Sequence, residues 1–130
     1  MKLLLDTHAL AWWMTEPERL RSAAYDLIAD PENQAFVSAA SVWEMSIKHH
    51  AGKWPEIGGI LMNIDGELRN AGFAALAIDV AHARTAGSLT GRHRDPFDRL
   101  LIAQARLEDL LVLTADRVFA AYGVATFWVA

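Results

Sequence analysis

The segment "DPFDRLLIAQARLEDLLVLTAD", residues 95–116, decides the reading of the fold. Asp95-Pro96 opens a stretch with helical periodicity, "DPFDRLLIAQARLED", and the apolar run "DLLVLTAD" (109–116) that follows has the length of a strand. A helix feeding directly into a buried strand is the repeating half of an α/β unit. Working outward, apolar runs of strand length recur at "KLLLD" (2–6), "AFVSA" (35–39), "FAALAID" (73–79) and "ATFWV" (125–129). Between them lie "PERLRSAAYDLIAD" starting at Pro17, "SVWEMSIKHHAG", "IGGILMNIDGELRNAG" and "AHARTAGSL", bounded by Pro, Ser, Asp and Gly where helix caps want them. In the third, Ile57, Ile60, Leu61, Ile64 and Leu68 repeat at helical spacing. No repeat, linker or low-complexity tract interrupts this order. The expectation is one α/β domain over residues 1–130 with a mostly parallel sheet, whose ligand edge lies beyond the carboxyl ends of the strands.

Composition agrees with a packed core: 53% of the 130 residues are hydrophobic and 22% charged. The chain has no cysteine, which excludes disulfides, thiolate zinc sites and thiol nucleophiles. "MKLLLD" is far too short for a secretory or membrane-spanning segment, so a cytoplasmic protein with no membrane association is expected. Sixteen acids against twelve Lys and Arg leave a formal charge of −4, so any nucleic-acid contact must come from local patches. A mean hydropathy of +0.14 hints at a surface covered by a partner.

Four acids fall at the predicted ligand edge. Asp6 follows the first strand, Glu44 comes shortly after the second, Asp98 opens the late helix and Asp116 follows "LLVL". Each has an ordinary structural reading. Asp95-Pro96-Phe97-Asp98 reads as N-cap, proline at the first helical position and an acid favoured by the helix dipole. Ser41 and Glu44 have the spacing of a capping box, Asp116 suits the cap of "RVFAAYG", and Asp6 suits a turn with Thr7. Capping does not require all of them to share one edge, however. Carboxylates at about 4 Å repel by about 4 kcal/mol at an effective dielectric of 20, so a convergent set calls for a cation. All-oxygen ligands favour Mg²⁺ or Mn²⁺. Thr7 and Thr114 are placed either to support that ion's ligands or to bond their local backbone.

Cations flank the acids: Arg92, His93, Arg94 and Arg99 around Asp95 and Asp98, and Lys48, His49, His50 and Lys53 after Glu44. They are candidates for contacts with nucleic-acid phosphates, Arg92, Arg94, Arg99 and Lys48 foremost; the alternative is a solvated surface with Arg99 paired to Asp95. Trp12, Trp13 and Trp43 lie in apolar helical patterns and read as core or partner contacts. The five histidines lack zinc-ligand spacing.

The stretches "LLLDTHALAWW", "VSAASVWEMSIKHHAGK", "HRDPFDRLLIAQA" and "LLVLTADRVFAAYGV" together resemble the PIN-domain ribonucleases, and among them the VapC-like toxins of bacterial toxin–antitoxin pairs. The resemblance implies a three-layer PIN-like fold with four or five mostly parallel strands between helices. It implies that Asp6, Glu44, Asp98 and Asp116 are the catalytic acids and hold Mg²⁺ or Mn²⁺, which activates a water for RNA hydrolysis leaving a 5′-phosphate and a 3′-hydroxyl. Asp95 belongs to the "RDPFDR" variant of the motif, where it either ligates or caps. The resemblance also implies inhibition by a cognate antitoxin, a homodimer, and contact with DNA only through that antitoxin. Two other functions compete. One is a non-catalytic module whose acidic hollow docks a partner's arginine; the other is a receiver-like Mg²⁺-binding phospho-acceptor, which would need an acidic pair after the first strand where this chain has Asp6, Thr7 and His8.

Overall fold

The computed structural model describes residues 1–91 and 93–130. A five-stranded, wholly parallel sheet in the order β3-β2-β1-β4-β5 forms its middle layer. The strands are β1 (Lys2–Leu5), β2 (Gln34–Ser38), β3 (Ala74–Leu76), β4 (Leu111–Thr114) and β5 (Thr126–Trp128). Each of the five strand-like runs in the sequence therefore forms a strand, four of them trimmed and β2 shifted one residue toward the N-terminus. Around the sheet pack α1 (Thr7–Thr15), α2 (Ser22–Ala29), α3 (Ala39–His50), α4 (Gly58–Met62), α5 (Ile64–Ala71), α6 (Val80–Ser88), α7 (Pro96–Glu108) and α8 (Val118–Ala121).

The central strands read as unbroken apolar runs because both of their faces are covered. Leu3 and Leu5 enter one core with α1, Ile28 of α2 and Leu68 of α5, while Leu4 enters a second core with Leu101 and Ile102 of α7 and Phe119 of α8. Successive side chains of a strand point to opposite faces, so a three-residue run feeds both layers. Each of these leucines is fully buried, worth roughly 1.5–3 kcal/mol against leaving it in water. Among the described residues no helix is long and apolar enough to cross a membrane.

Two local expectations need correction. Helix α3 begins at Ala39 with Ser38 as its cap, the Ser38 hydroxyl accepting from the Ala40 amide at 3.0 Å. Ser41 and Glu44 therefore lie inside the helix, and no capping box links them; the β2 strand delivers Ser38 to the sheet edge and the helix starts there. The segment "IGGILMNIDGELRNAG" is two helices rather than one. Asn63, at φ −138° and ψ 46°, breaks the hydrogen-bond ladder between α4 and α5. By contrast Asp95 caps α7 with Pro96 in its first turn, the Asp95 carboxylate accepting from the amides of Phe97 and Asp98 at 2.9 and 3.1 Å.

Candidate active site

Parallel pairing of β1 with β4 brings Leu5 beside Leu113, and the Asp6 amide donates to the Leu113 carbonyl at 3.1 Å. Both strands thus end side by side, with Asp6 after one and Thr114 closing the other. Asp6 is buried and caps α1, one carboxylate oxygen accepting from the Ala9 amide at 2.8 Å. Its other oxygen accepts from the Thr114 hydroxyl at 2.5 Å. Thr114 in turn accepts from the Asp116 amide at 2.9 Å, which fixes the turn carrying Asp116. Asp116 is exposed and accepts from the Val118 amide at 3.0 Å, a local turn ahead of the short α8, whose cap position is Arg117 and carries no side-chain cap bond, so Asp116 does not cap that helix.

Glu44 projects from the second turn of α3 and is only 5% exposed. The Thr7 hydroxyl donates to one of its oxygens at 2.7 Å, and the Lys48 ammonium to the other at 2.7 Å, one helical turn on. The Thr7 oxygen also lies 3.1 Å from the Ser41 hydroxyl. Thr7 therefore bonds side chains of a distant segment, while Thr114 does both, donating to Asp6 across the sheet and accepting from the amide of its own turn. Asp98, in the first turn of α7, faces His93, whose Nε2 lies 2.8 Å from a carboxylate oxygen.

Electrostatics tie these positions together. Burial pushes the Asp6 carboxyl from its ordinary 3.8 up to about 6, against the opposing hydrogen bonds from Thr114 and Ala9, with repulsion from Asp116 and Glu44 adding to the rise. Burial likewise lifts Asp98 to about 6; the hydrogen bond from His93 opposes it, and the charges of Asp95 and Glu44 reinforce it. Glu44 acts on both, so Asp6, Glu44, Asp98 and Asp116 share one electrostatic neighbourhood at the carboxyl edge of the sheet. Two carboxyls with raised proton affinity beside further acids are a donor set that favours a hard divalent cation.

The cations divide. Lys48 is committed to Glu44, and Arg94 is exposed. Arg92 lies outside the described residues. Arg99 needs correction: its guanidinium donates to the carbonyls of Ala86, Leu89 and His93 at 3.1, 2.6 and 3.0 Å and stitches the segment before α7 to that helix. It has left the surface for backbone acceptors, and among the described residues it forms no ion pair with Asp95. His93 reads in the sequence as one more flanking cation; the extended stretch before α7, with no helical spacing to mark it, turns it onto Asp98.

Among the described residues one group of three brings ligand atoms within 4.8 Å of one another, and it is Asp79, His82 and Glu108; Asp6, Glu44, Asp98 and Asp116 do not reach that spacing. It works as a structural clamp. The Asp79 amide donates to His82 Nδ1 at 3.1 Å and the Asp79 carboxylate accepts from the His82 amide at 2.8 Å, a reciprocal cap on α6. That network assigns the ring proton to Nε2, which donates to Glu108 on α7 at 3.0 Å. Neither ring nitrogen retains a free lone pair for a metal.

The PIN domain family model matches residues 3–125. The chain belongs to the PIN domain family. A curated relative, Ribonuclease VapC16 of Mycobacterium tuberculosis, is 32% identical over 65 residues, 48% of this chain. The match spans less than half of that relative's own length, 46%. Among solved structures, VapBC2 from Rickettsia felis bound to a DNA fragment from its promoter aligns over 100% of both chains with TM-score 0.75 at 14% identity. FitAcB from Neisseria gonorrhoeae aligns over 98% of this chain and 96% of that one, with TM-score 0.67 at 23% identity. At such identities these likenesses establish the PIN fold alone.

Proposed function

We propose that this PIN domain is a divalent-cation-dependent endoribonuclease and the toxin of a toxin–antitoxin pair. The observation that carries the reading is the convergence on one sheet edge of Asp6 and Asp98, both with carboxyl pKa lifted to about 6, with Glu44 acting on both. A relative that is a ribonuclease by name and a similar fold in a toxin–antitoxin complex from Klebsiella pneumoniae support it. Asp6 and Asp98 would hold Mg²⁺ or Mn²⁺, with Glu44 and Asp116 completing the oxygen set directly or through water, and Asp95 capping the helix that presents Asp98. A cation bound there acidifies a water and steadies charge on the scissile phosphate.

The chain's own groups supply the positioning. Thr114 and the α1 amide hold both Asp6 oxygens in fixed directions, Thr7 orients Glu44, and His93 steadies ionised Asp98. Lys48 and Arg94 offer positive charge to RNA phosphates approaching an acidic hollow. The proposed surroundings are a cytoplasmic homodimer with a cognate antitoxin, DNA being reached through that antitoxin.

A second reading, an acidic dock for a partner's cationic side chain, draws on the Lys48–Glu44 pair, which shows a basic side chain already seated against one of the acids. Inhibition by an antitoxin would use the same property, so the two readings diverge only on cleavage. A receiver-like site fits poorly: β3 is an edge strand, and Asp79 beyond it is consumed in capping α6. The test is incubation of antitoxin-free protein with total cellular RNA, with Mg²⁺ or Mn²⁺ and with chelator, followed by mapping of cut ends. Divalent-dependent cleavage that disappears in Asp6→Asn is expected. Cleavage indifferent to chelator and to that substitution refutes the assignment.

A further inference from the structure

Beside the acids, between α1 and the end of α3, opens a cavity of about 390 Å³, within the ~300–1,000 Å³ range of small-ligand sites. Its lining does not resemble a core. Trp12 and Trp54 present indole faces on either side of the exposed His8, whose ring centroid lies 6.0 Å from the first and 5.4 Å from the second, nearly parallel to Trp54 at 29°. Cations stand over the rings: the Arg19 guanidinium 4.6 Å from the Trp12 centroid and the Lys48 ammonium 5.9 Å from that of Trp54. Lys53 adds a further positive charge on the wall, and Glu16 and Glu56 add two negative ones. Glu16 lies 3.8 Å from Arg19, and Lys48 is matched by Glu44, so the cavity is close to neutral while being rich in π faces.

We propose that this cavity is a subsite for one unpaired nucleobase flanking the scissile phosphate, a proposal that rests on the nuclease reading of the neighbouring acids. The position follows from shared residues. Lys48 lines the cavity and touches Glu44 at 2.7 Å, and His8 directly follows Thr7, which donates to Glu44. Substrate leaving the acids in this direction meets the two indoles next. Bases of single-stranded RNA stack on aromatic and guanidinium planes, and near-neutral walls suit a base better than a phosphate. Arg19 and Lys53 then face the backbone on either side of that base. A tryptophan-lined wall beside the acids makes base identity at one position a determinant of where the chain cuts.

The test uses the antitoxin-free protein in an Asp98→Asn background, which removes cleavage, titrated with fluorescein-labelled single-stranded octamers of A, U and C. Trp54→Ala and Trp12→Ala should weaken binding of the preferred octamer by roughly 5- to 150-fold, the range of one lost base–aromatic stack. Trp54→Phe should retain most of the affinity, since it keeps a π face. His8→Ala, at an exposed site, should weaken binding without loss of fold. Lys53→Ala should lower the slope of log affinity against log salt by about 0.7, one phosphate contact to a single strand. In the cleaving parent, Trp54→Phe and His8→Ala should shift the nucleotide preference beside the cut while divalent dependence persists. Folded Trp54→Ala and His8→Ala proteins that bind every octamer like the parent would overturn the subsite. So would a loss confined to the complex with a co-expressed antitoxin, which would assign the cavity to a protein partner. Absence of cleavage by the parent would sink the nuclease reading, while the binding titrations still decide the subsite.

Discussion

Removing the charge of Asp6 should abolish activity and yet stabilise the protein, and the size of the gain follows from its surroundings. Its pKa rises from 3.8 to about 6, so the folded state binds the proton more tightly than the unfolded chain. A raised carboxyl contributes stability that is fully present below the unfolded value and is lost as pH rises through the folded one. At pH 7.5 ionised Asp6 therefore costs about 3 kcal/mol, a shift of about two units at 1.36 kcal/mol each. Asp6→Asn keeps an oxygen for the Ala9 amide but puts an amide nitrogen near Thr114, whose hydroxyl must rotate while still accepting from Asp116. Allowing about 1 kcal/mol for that exchange leaves a net gain of about 2 kcal/mol, or roughly 6–10 °C in Tm for a domain of this size. Thermal unfolding followed by circular dichroism, in chelator, should show that gap at pH 7.5 and its disappearance near pH 4. Mg²⁺ or Mn²⁺ should then raise the parent's Tm and leave the variant's nearly unchanged. A variant less stable than the parent at pH 7.5, or a gap that ignores pH, would refute the reasoning.

Protons and the divalent cation compete for Asp6 and Asp98, so cleavage should climb between about pH 5 and 7 and level off above; a flat profile over that interval contradicts the raised carboxyls. Arg99→Ala, which strips three carbonyls of a charged donor, should lower stability in urea unfolding by about 3 kcal/mol, and Arg99→Lys should restore less than half because an ammonium cannot span the fork. Gly91→Ala should destabilise by roughly 1–3 kcal/mol in the same assay, because φ of +109° is strained for alanine and its Cβ would lie 2.8 Å from the Tyr122 hydroxyl. Zinc should leave Tm unchanged by way of Asp79, His82 and Glu108, and a zinc-dependent rise lost in His82→Ala would overturn the tautomer assigned to His82.

Burial made the sheet legible. Strands covered on both faces must be apolar along their covered length, and Leu3–Leu5 and Leu111–Leu113 are, which gave away the two central strands and the acids that follow them. Asp95-Pro96 marked the start of α7 because its cap is local chemistry. What stayed hidden depended on tertiary competition. Ser41 and Glu44 satisfy a capping pattern, but Ser38 at the end of β2 reaches the first free amides before them, and Glu44 is left for Thr7, 37 residues away. Arg99 looked like surface charge, yet its guanidinium takes the carbonyls of Ala86 and Leu89 at the end of α6 and of His93 before α7. No spacing rule links His93 to Asp98 across extended backbone. Trp12 did lie in a helical pattern as read, but Trp54, far along the chain, turns its exposed edge into the wall of a cavity.

The contact from Thr114 to Asp6 joins residues 108 apart. Since β4 supplies the hydroxyl that orients the first acid and leads into the turn that carries the last, a chain emerging from the ribosome cannot assemble this acidic edge until residue 116 has followed residue 6 out. Under the proposed nuclease function, synthesis itself would keep the growing polypeptide inert while it is closest to ribosomal RNA.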